Sequence, residues 1–68
     1  MKVIYDRETD TLSLILSDSK IIESDELRDG IIVDYNEQGK VVSVEILDAS
    51  SSINDPNAIS YELKEKTA

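Results

Sequence analysis

Apolar and polar residues alternate along much of this chain, which is the period-two pattern of β-strands. The alternation is regular in the second and fourth runs, where leucines, valine and tyrosine recur at every other position. The third run is acidic, which indicates an exposed edge strand whose charges prevent edge-to-edge pairing. The candidate strands are residues 2–5, 12–16, 21–27, 31–35 and 41–47.

The polar segments between these runs have the composition of tight turns. Five residues, 6–10, connect the first two runs, a length that suits a hairpin. The sequence from Asn36 to Gly39 is typical of a type I turn closed by a glycine in the left-handed region. The pattern therefore predicts a hairpin that pairs 31–35 with 41–47. After it, Asp48 is predicted to cap a short helix with its carboxylate.

The C-terminal part permits more than one interpretation. Ile59, Tyr61 and Leu63 alternate with polar residues and predict a last strand, whereas residues 62–66 also have good helix propensity. Disorder after about residue 64 is a third alternative. The sequence as a whole predicts one domain over residues 1–68, α+β but mainly β. We expect a small antiparallel β-meander of about four to five strands with one short helix after Leu47.

The chain has 68 residues, near the lower limit at which a hydrophobic core alone stabilises a domain. It contains neither Phe nor Trp, so its core must be built from aliphatic side chains and three tyrosines. One short helix cannot cover the apolar side of a sheet of this size. We therefore expect a homo-oligomer, most simply a dimer, whose second subunit supplies the missing layer.

Seven basic residues against fifteen acidic ones give a formal charge of −8. This balance argues against binding to nucleic acid or to anionic membranes, because phosphate neutralisation requires excess Lys and Arg. An acidic protein attracts a basic protein partner, although the charge is also explained by solubility alone. Neither a signal peptide nor a membrane-spanning run is recognisable, so the expected location is the cytoplasm.

Histidine and cysteine are absent, so the usual general base and thiolate ligands are missing. The spacing Asp34-x-Asn36-x-Gln38-Gly39, with Glu45 at the twelfth position, resembles a calcium-binding loop. However, residues 41–47 have the pattern of a strand, whereas such a loop leads into a helix. The hairpin interpretation is therefore preferred.

Carboxylates gathered in space form the second candidate, since they bind Mg²⁺ or act as an acid/base pair. The members are Asp6, Asp10, Asp34, Glu45 and Asp48. The structural alternative, in which they bond to loop backbone or cap the helix, is favoured. The serines at 50–52 lack the usual base and are expected to bond locally. We thus predict no catalytic residue and no cofactor, with Asp34 and Glu45 as the alternative metal ligands.

Apolar residues away from the main core face are the candidates for partner contacts. They are Ile15, Ile32 and Tyr61. The tyrosines at 5, 35 and 61 are expected in the core or at a dimer interface, with each hydroxyl at its rim.

Several segments together resemble the family catalogued as domain of unknown function 2283 (DUF2283). The matching segments are Tyr5-Asp6, Asp10-Thr-Leu12, Gly30-Ile-Ile-Val-Asp34-Tyr-Asn, Gly39-Lys-Val-Val and Val44-Glu-Ile-Leu-Asp-Ala-Ser50. The resemblance covers residues 2–50 and implies a small, mostly β, cytoplasmic protein. This chain departs from the family pattern in Asn36, where Asp is usual, and in Ser43, where Gly is usual. The first departure weakens a metal site, and the second leaves a close backbone approach at residue 43 in doubt.

Genes of such proteins often lie beside small toxin-like proteins, so the resemblance also implies a partner role resembling that of an antitoxin. The family brings no catalytic residues. The leading hypothesis is a non-enzymatic protein-binding module that acts as a homodimer. The rival is a small carboxylate-based metal-binding protein or metal-dependent enzyme centred on Asp34 and Glu45.

Overall fold

Five antiparallel strands form one sheet in the computed structural model, which describes residues 1–66. The strands are β1 (Lys2–Asp6), β2 (Thr11–Ile15), β3 (Glu23–Arg28), β4 (Ile31–Tyr35) and β5 (Val41–Ile46). A single 3₁₀ turn, Ala49–Ser51, follows the last strand. The predicted mainly β meander with a short helix after Leu47 is confirmed. Within residues 1–66 no helix is long and apolar enough to cross a bilayer.

The strand order is β1-β2-β5-β4-β3. The chain makes the β1–β2 hairpin, crosses to the far edge of the sheet, and returns through β3, β4 and β5. This return places β5 beside β2, so the last strand occupies the centre of the sheet. The connection after β2 is held by backbone bonds from Leu16 N to Val42 O (2.8 Å) and from Ile22 N to Tyr35 O (2.9 Å).

The β4–β5 turn has the predicted geometry. Gly39 adopts φ +76° and donates its N–H to Asn36 O at 3.0 Å. The Asn36 side-chain oxygen accepts the N–H groups of Gln38 and Lys40, both at 3.0 Å. Next to the turn, Tyr35 pairs with Val41, whereas Asp34 pairs with Ser43. Strand β5 therefore has one extra residue, Val42, between these two pairs, which is a β-bulge.

A close backbone approach occurs at Gly30 rather than at residue 43. Gly30 adopts φ +81°, and its carbonyl accepts the N–H of Leu47 at 2.8 Å. A Cβ atom at Gly30 would lie 3.4 Å from the Leu47 carbonyl oxygen. The β3–β4 turn therefore favours glycine for its backbone conformation and for its contact with the end of β5.

Strand pairing divides the sheet into two chemically different faces. One face, here called the apolar face, carries the cross-strand rows Val3–Leu14–Val44–Val33–Asp25 and Tyr5–Leu12–Ile46–Ile31–Arg28. The other, the polar face, carries Lys2–Ile15–Ser43–Asp34–Ser24 and Ile4–Ser13–Glu45–Ile32–Glu26. Because the alternation is in register across the five strands, one face of the sheet is mainly apolar and the other carries both polar and apolar residues.

No second layer of helix or sheet covers the apolar face within residues 1–66. Among the described residues, the only buried apolar ones are Val33, Val42 and Ala49. Residues 53–61, here called the tail segment, lie over β1 and β2 and leave two cavities of about 580 and 450 Å³ against the sheet. The core is therefore thin for a folded domain.

The predicted last strand at 59–63 is wrong, since residues 59–66 contain neither strand nor helix. Ile59, Tyr61 and Leu63 are 69%, 77% and 70% exposed. Alternation makes a strand only where a neighbouring strand supplies backbone partners, and this segment has no ladder partner. The third alternative, disorder after about residue 64, also includes residues 67 and 68. These two residues lie outside the described part of the chain.

Candidate functional site

Asp10 joins the 3₁₀ turn to the β1–β2 hairpin. Its carboxylate accepts the Tyr5 hydroxyl at 2.6 Å, the Ser50 hydroxyl at 2.6 Å and the Ser50 N–H at 3.1 Å. Its backbone carbonyl accepts the Ala49 N–H at 2.9 Å. Ala49 is fully buried as a result. These contacts bring together residues forty positions apart and hold the polar Asp-Ala-Ser segment in place.

The electrostatics of this junction follow from its hydrogen bonds. The Ser50 hydroxyl, with that of Tyr5, holds the pKa of Asp10 below its usual value. The same bond to Asp10 raises the pKa of the Tyr5 phenol. Asp10 is thus an ionised structural anchor at neutral pH, and its acceptor oxygens are used.

Two further carboxylates of the predicted cluster lie near this junction. Asp6 accepts the N–H groups of Glu8 (2.9 Å) and Thr9 (3.4 Å), which confirms its expected loop bonding. The cap prediction for Asp48 is wrong, because the side chain makes no cap hydrogen bond. Asp48 adopts φ +49°, and a left-handed residue does not have the extended backbone of an N-cap.

The local bonding predicted for the serines at 50–52 is confirmed for Ser51, whereas the Ser50 hydroxyl bonds to the distant Asp10. The Ser51 hydroxyl donates to the Asp48 carbonyl at 2.7 Å, and its N–H donates to the same oxygen at 3.0 Å. Together with the bond from the Ser50 hydroxyl to Asp10, these contacts of Ser51 stabilise the turn.

Asp34 is a buried carboxylate on the polar face, only 4% exposed. Its two oxygens accept separate hydroxyl groups, from Ser24 in β3 and from Ser43 in β5, each at 2.5 Å. Both serines are its direct cross-strand neighbours. Glu45 lies diagonally beside it, because Glu45 faces Ile32 on the same side of the hairpin.

The two acidic groups have opposite pKa shifts. Burial acts to raise the pKa of Asp34, but the hydroxyls of Ser24 and Ser43, together with Glu45, bring it below its usual value. Burial, followed by the hydrogen bond to Asp34 and the charge of Asp34, raises the pKa of Glu45. As pH falls, Glu45 therefore takes up a proton before Asp34 does.

The structure separates the five predicted carboxylates into two groups. Asp10 precedes β2, whereas the Asp34 row passes through Ile15 at the other end of β2. Among residues 1–66, no three acidic, histidine or cysteine side chains are placed to hold a metal ion together. A cation at Asp34 and Glu45 would compete with the hydroxyls of Ser24 and Ser43 for the Asp34 carboxylate.

The three predicted contact residues do not form one surface. Ile15 and Ile32 are partly exposed on the polar face, beside Ser43 and Glu45 respectively. Tyr61 lies on the tail segment, where it lines the larger cavity with Val3 and Leu14 of the apolar face. Whether these residues bind a partner stays a prediction.

Sequence reasoning missed the two serines that satisfy Asp34 and the position of the tail segment. Ser43 was accessible to prediction, because the turn at 36–39 sets the pairing of the strands on either side. Ser24 was not, since its strand gave only a weak pattern. The tail is fixed by a contact between Arg7 and Asn57, whose side-chain atoms meet at 2.8 and 3.1 Å. Nothing local predicts that contact.

The fold and its hydrogen-bonded acids define a small single-layer antiparallel β-protein. Residues 2–50 match the family described as Protein of unknown function (DUF2283). The chain therefore belongs to the DUF2283 family. Comparison with curated proteins and with solved structures finds no match. The signature residues of the family resemblance now have structural roles, from Asp10 and Gly30 to Ser50. Ser43, which replaces the usual glycine, supplies a hydroxyl to Asp34.

The opposite shifts of Asp34 and Glu45 predict a pH-dependent stability. A raised folded-state pKa of Glu45 adds stability below its unfolded pKa, which is lost as pH rises through the folded value. The lowered pKa of Asp34 adds stability above its unfolded pKa, which is lost as pH falls through the folded value. The combined contribution of the two groups to stability should therefore be largest between pH 3.8 and 4.5, the ordinary pKa values of the two side chains. Glu45→Gln keeps a donor to Asp34 at every pH, so it should stabilise at pH 7.5 by less than about 1 kcal/mol after solvent screening.

Urea denaturation of the native chain and of Glu45→Gln at pH 4.5 and 7.5 measures this effect. Glu37→Gln, in the exposed β4–β5 turn, is the control and should behave like the native chain. If the stability of Glu45→Gln depended on pH as that of the native chain does, the raised pKa of Glu45 would be contradicted.

Proposed function

We propose that this protein is a non-enzymatic protein-binding module that works as a homodimer. The observation that carries the proposal is the apolar face, which no second layer of helix or sheet covers within residues 1–66. Such a face is stable in water only when another surface covers it. Association therefore supports the fold as well as the function.

The acids of the described part support a binding role over catalysis. Asp10 and Asp34 bind hydroxyl groups with both oxygens, and Asp6 binds loop backbone. The two cavities are lined by apolar side chains with few polar groups, so the acids do not converge on them. Catalytic acids and bases need access to substrate, which these contacts restrict.

An antitoxin-like role toward a basic partner is the specific version of the proposal. It is supported by the charge of −8 and by the edge strand β3, whose six residues are all exposed. Glu23, Asp25 and Glu26 flank the free backbone edge of this strand, with Asp25 on the apolar face and Glu26 on the polar face. An extended basic segment can add a strand to this edge. The same charges oppose pairing of β3 with a second β3.

Two experiments test the proposal. Light scattering should give a mass near twice 7.6 kDa, and a monomer mass at every concentration would contradict the homodimer. Capture of partners from extract of the source organism should retain one basic protein in low salt. Charge reversal by Glu23→Lys with Glu26→Lys should abolish retention, whereas the control Glu8→Lys with Glu37→Lys should not. No retained protein at any salt concentration would count against the partner role.

The rival metal function is separated by calorimetric titration with Mg²⁺, Mn²⁺ and Ca²⁺. The proposal expects no binding heat from any of them. Saturable binding that Asp34→Asn or Glu45→Gln removes would favour the rival instead.

A further inference from the structure

The chain exposes more surface than a folded monomer of its mass should. The usual scaling of surface with mass gives about 4,300 Å² for a protein of 7.6 kDa. The observed accessible surface is 5731 Å², an excess of about 1,400 Å². A stable protein–protein interface buries about 800 Å² on each partner. The excess is therefore large enough for a dimer interface, with some area left over.

The apolar face is the surface best suited to this contact. Its central rows join Leu14 to Val44 to Val33 and Leu12 to Ile46 to Ile31, without a charge among them. The centre of the polar face holds Glu45, which is only partly buried, and a covering layer would desolvate this acid at a cost. Pairing through the β1 or β3 edge would lengthen the sheet but leave the apolar face uncovered.

The tail segment covers β1, β2 and the Ile46 end of β5, which leaves the β4–β3 side of the apolar face. It is fixed there by Arg7 and Asn57, and it leaves apolar cavities on the sheet. At its C-terminal end and just after it, Ile59, Tyr61 and Leu63 project large apolar groups that are more than two-thirds exposed. A second layer placed beside the tail would bury these side chains together with the uncovered half of the sheet.

We infer that a second copy of this chain packs on the apolar face and buries Ile59, Tyr61 and Leu63 in the contact. This inference rests on the proposed homodimer and specifies which face forms it. Each copy then has a two-layer core, made of its own tail on one half of the sheet and its partner on the other. The polar face and the outer backbone edge of β3 stay free for a different protein.

Single substitutions distinguish the two faces. Tyr61→Ser, 77% exposed in one chain, should weaken dimerisation about tenfold or more, as expected when a large aromatic leaves an interface. Ile4→Ser, 41% exposed on the polar face, is the matched control and should leave the dissociation constant within about twofold. Sedimentation equilibrium measures both constants. Circular dichroism verifies that each variant keeps its sheet.

A second measurement does not depend on substitution. In a mixture of isotope-labelled and unlabelled chains, filtered nuclear Overhauser spectra should connect the methyl groups of Val44 or Ile31 to protons of the other copy. Cross-peaks confined to Ile4, Ile15 and Ile32 would overturn the inference and place the interface on the polar face.

The outcomes separate the inference from the proposed function. If the wild-type chain is a dimer and Tyr61→Ser weakens it no more than Ile4→Ser does, the proposed homodimer stands. Its assignment to the apolar face is then overturned. A wild-type monomer at all concentrations overturns both. Preferential loss of the dimer in Tyr61→Ser, with contacts from Val44, supports both.

Discussion

Asp34→Ala should destabilise the protein by about 1–3 kcal/mol, the cost of leaving buried polar groups unpaired. The substitution removes the acceptor for the hydroxyls of Ser24 and Ser43, and Ser43 is only 6% exposed. It also leaves Glu45 without its neighbour on the polar face. Strands β3, β4 and β5 would lose the side-chain link that joins them across β4.

Urea denaturation at one fixed protein concentration measures this change, since dimerisation makes apparent stability depend on concentration. Asp25→Ala is the matched control, because Asp25 is an exposed acid on the adjacent strand β3. Exposed substitutions of this kind change stability by about 0.5 kcal/mol or less. Equal midpoints for the two variants would show that the Asp34 contacts are not stabilising.

Asp10→Ala should release the 3₁₀ turn from the β1–β2 hairpin. The variant loses the bonds from the Tyr5 hydroxyl and from the hydroxyl and N–H of Ser50. It also places alanine at φ +53°, in a region that a β-carbon disfavours. We expect a lower melting temperature and faster hydrogen exchange at Ala49, whose N–H donates to the Asp10 carbonyl.

Two comparison variants separate the causes. Asp6→Ala removes a carboxylate that bonds only loop backbone, so it should lower the melting temperature less than Asp10→Ala does. Asp10→Gly restores the backbone freedom without the side-chain bonds, and it should fall between the native chain and Asp10→Ala. A melting temperature for Asp10→Ala no lower than that for Asp6→Ala would show that the junction is dispensable.

The hairpin of β4 and β5 could be predicted because its determinants are local. Asn36 and Gly39 define the turn, and alternation on either side defines the strands. Once the turn is known, the pairing of Asp34 with Ser43 follows within a residue, apart from the bulge near Val42. The carboxylate–hydroxyl contact was thus partly within reach of the sequence.

The failures concern groups whose partners are distant or absent. Asp48 has the right residue type for a cap, but Leu47 bonds to Gly30 and Ala49 bonds to Asp10, and Asp48 between them is left-handed. Residues 59–63 have the right alternation for a strand, but no sheet edge pairs with them. In both cases residue preference was correct in kind and was overridden by tertiary contacts.

Alternation and turn chemistry, which act within a few residues, were enough to locate the five short strands and the turn after Leu47, although alternation also predicted a further strand at 59–63 that does not form. The order of those strands, the two faces and the buried position of Asp34 were decided only in the tertiary structure. The reason is that β5 must pair with the free edge of β2. The hydrogen bonds and the apolar rows formed by this pairing join residues about thirty positions apart in the sequence. The sheet that this pairing completes has one apolar face without a second layer. The proposed function is based on that face.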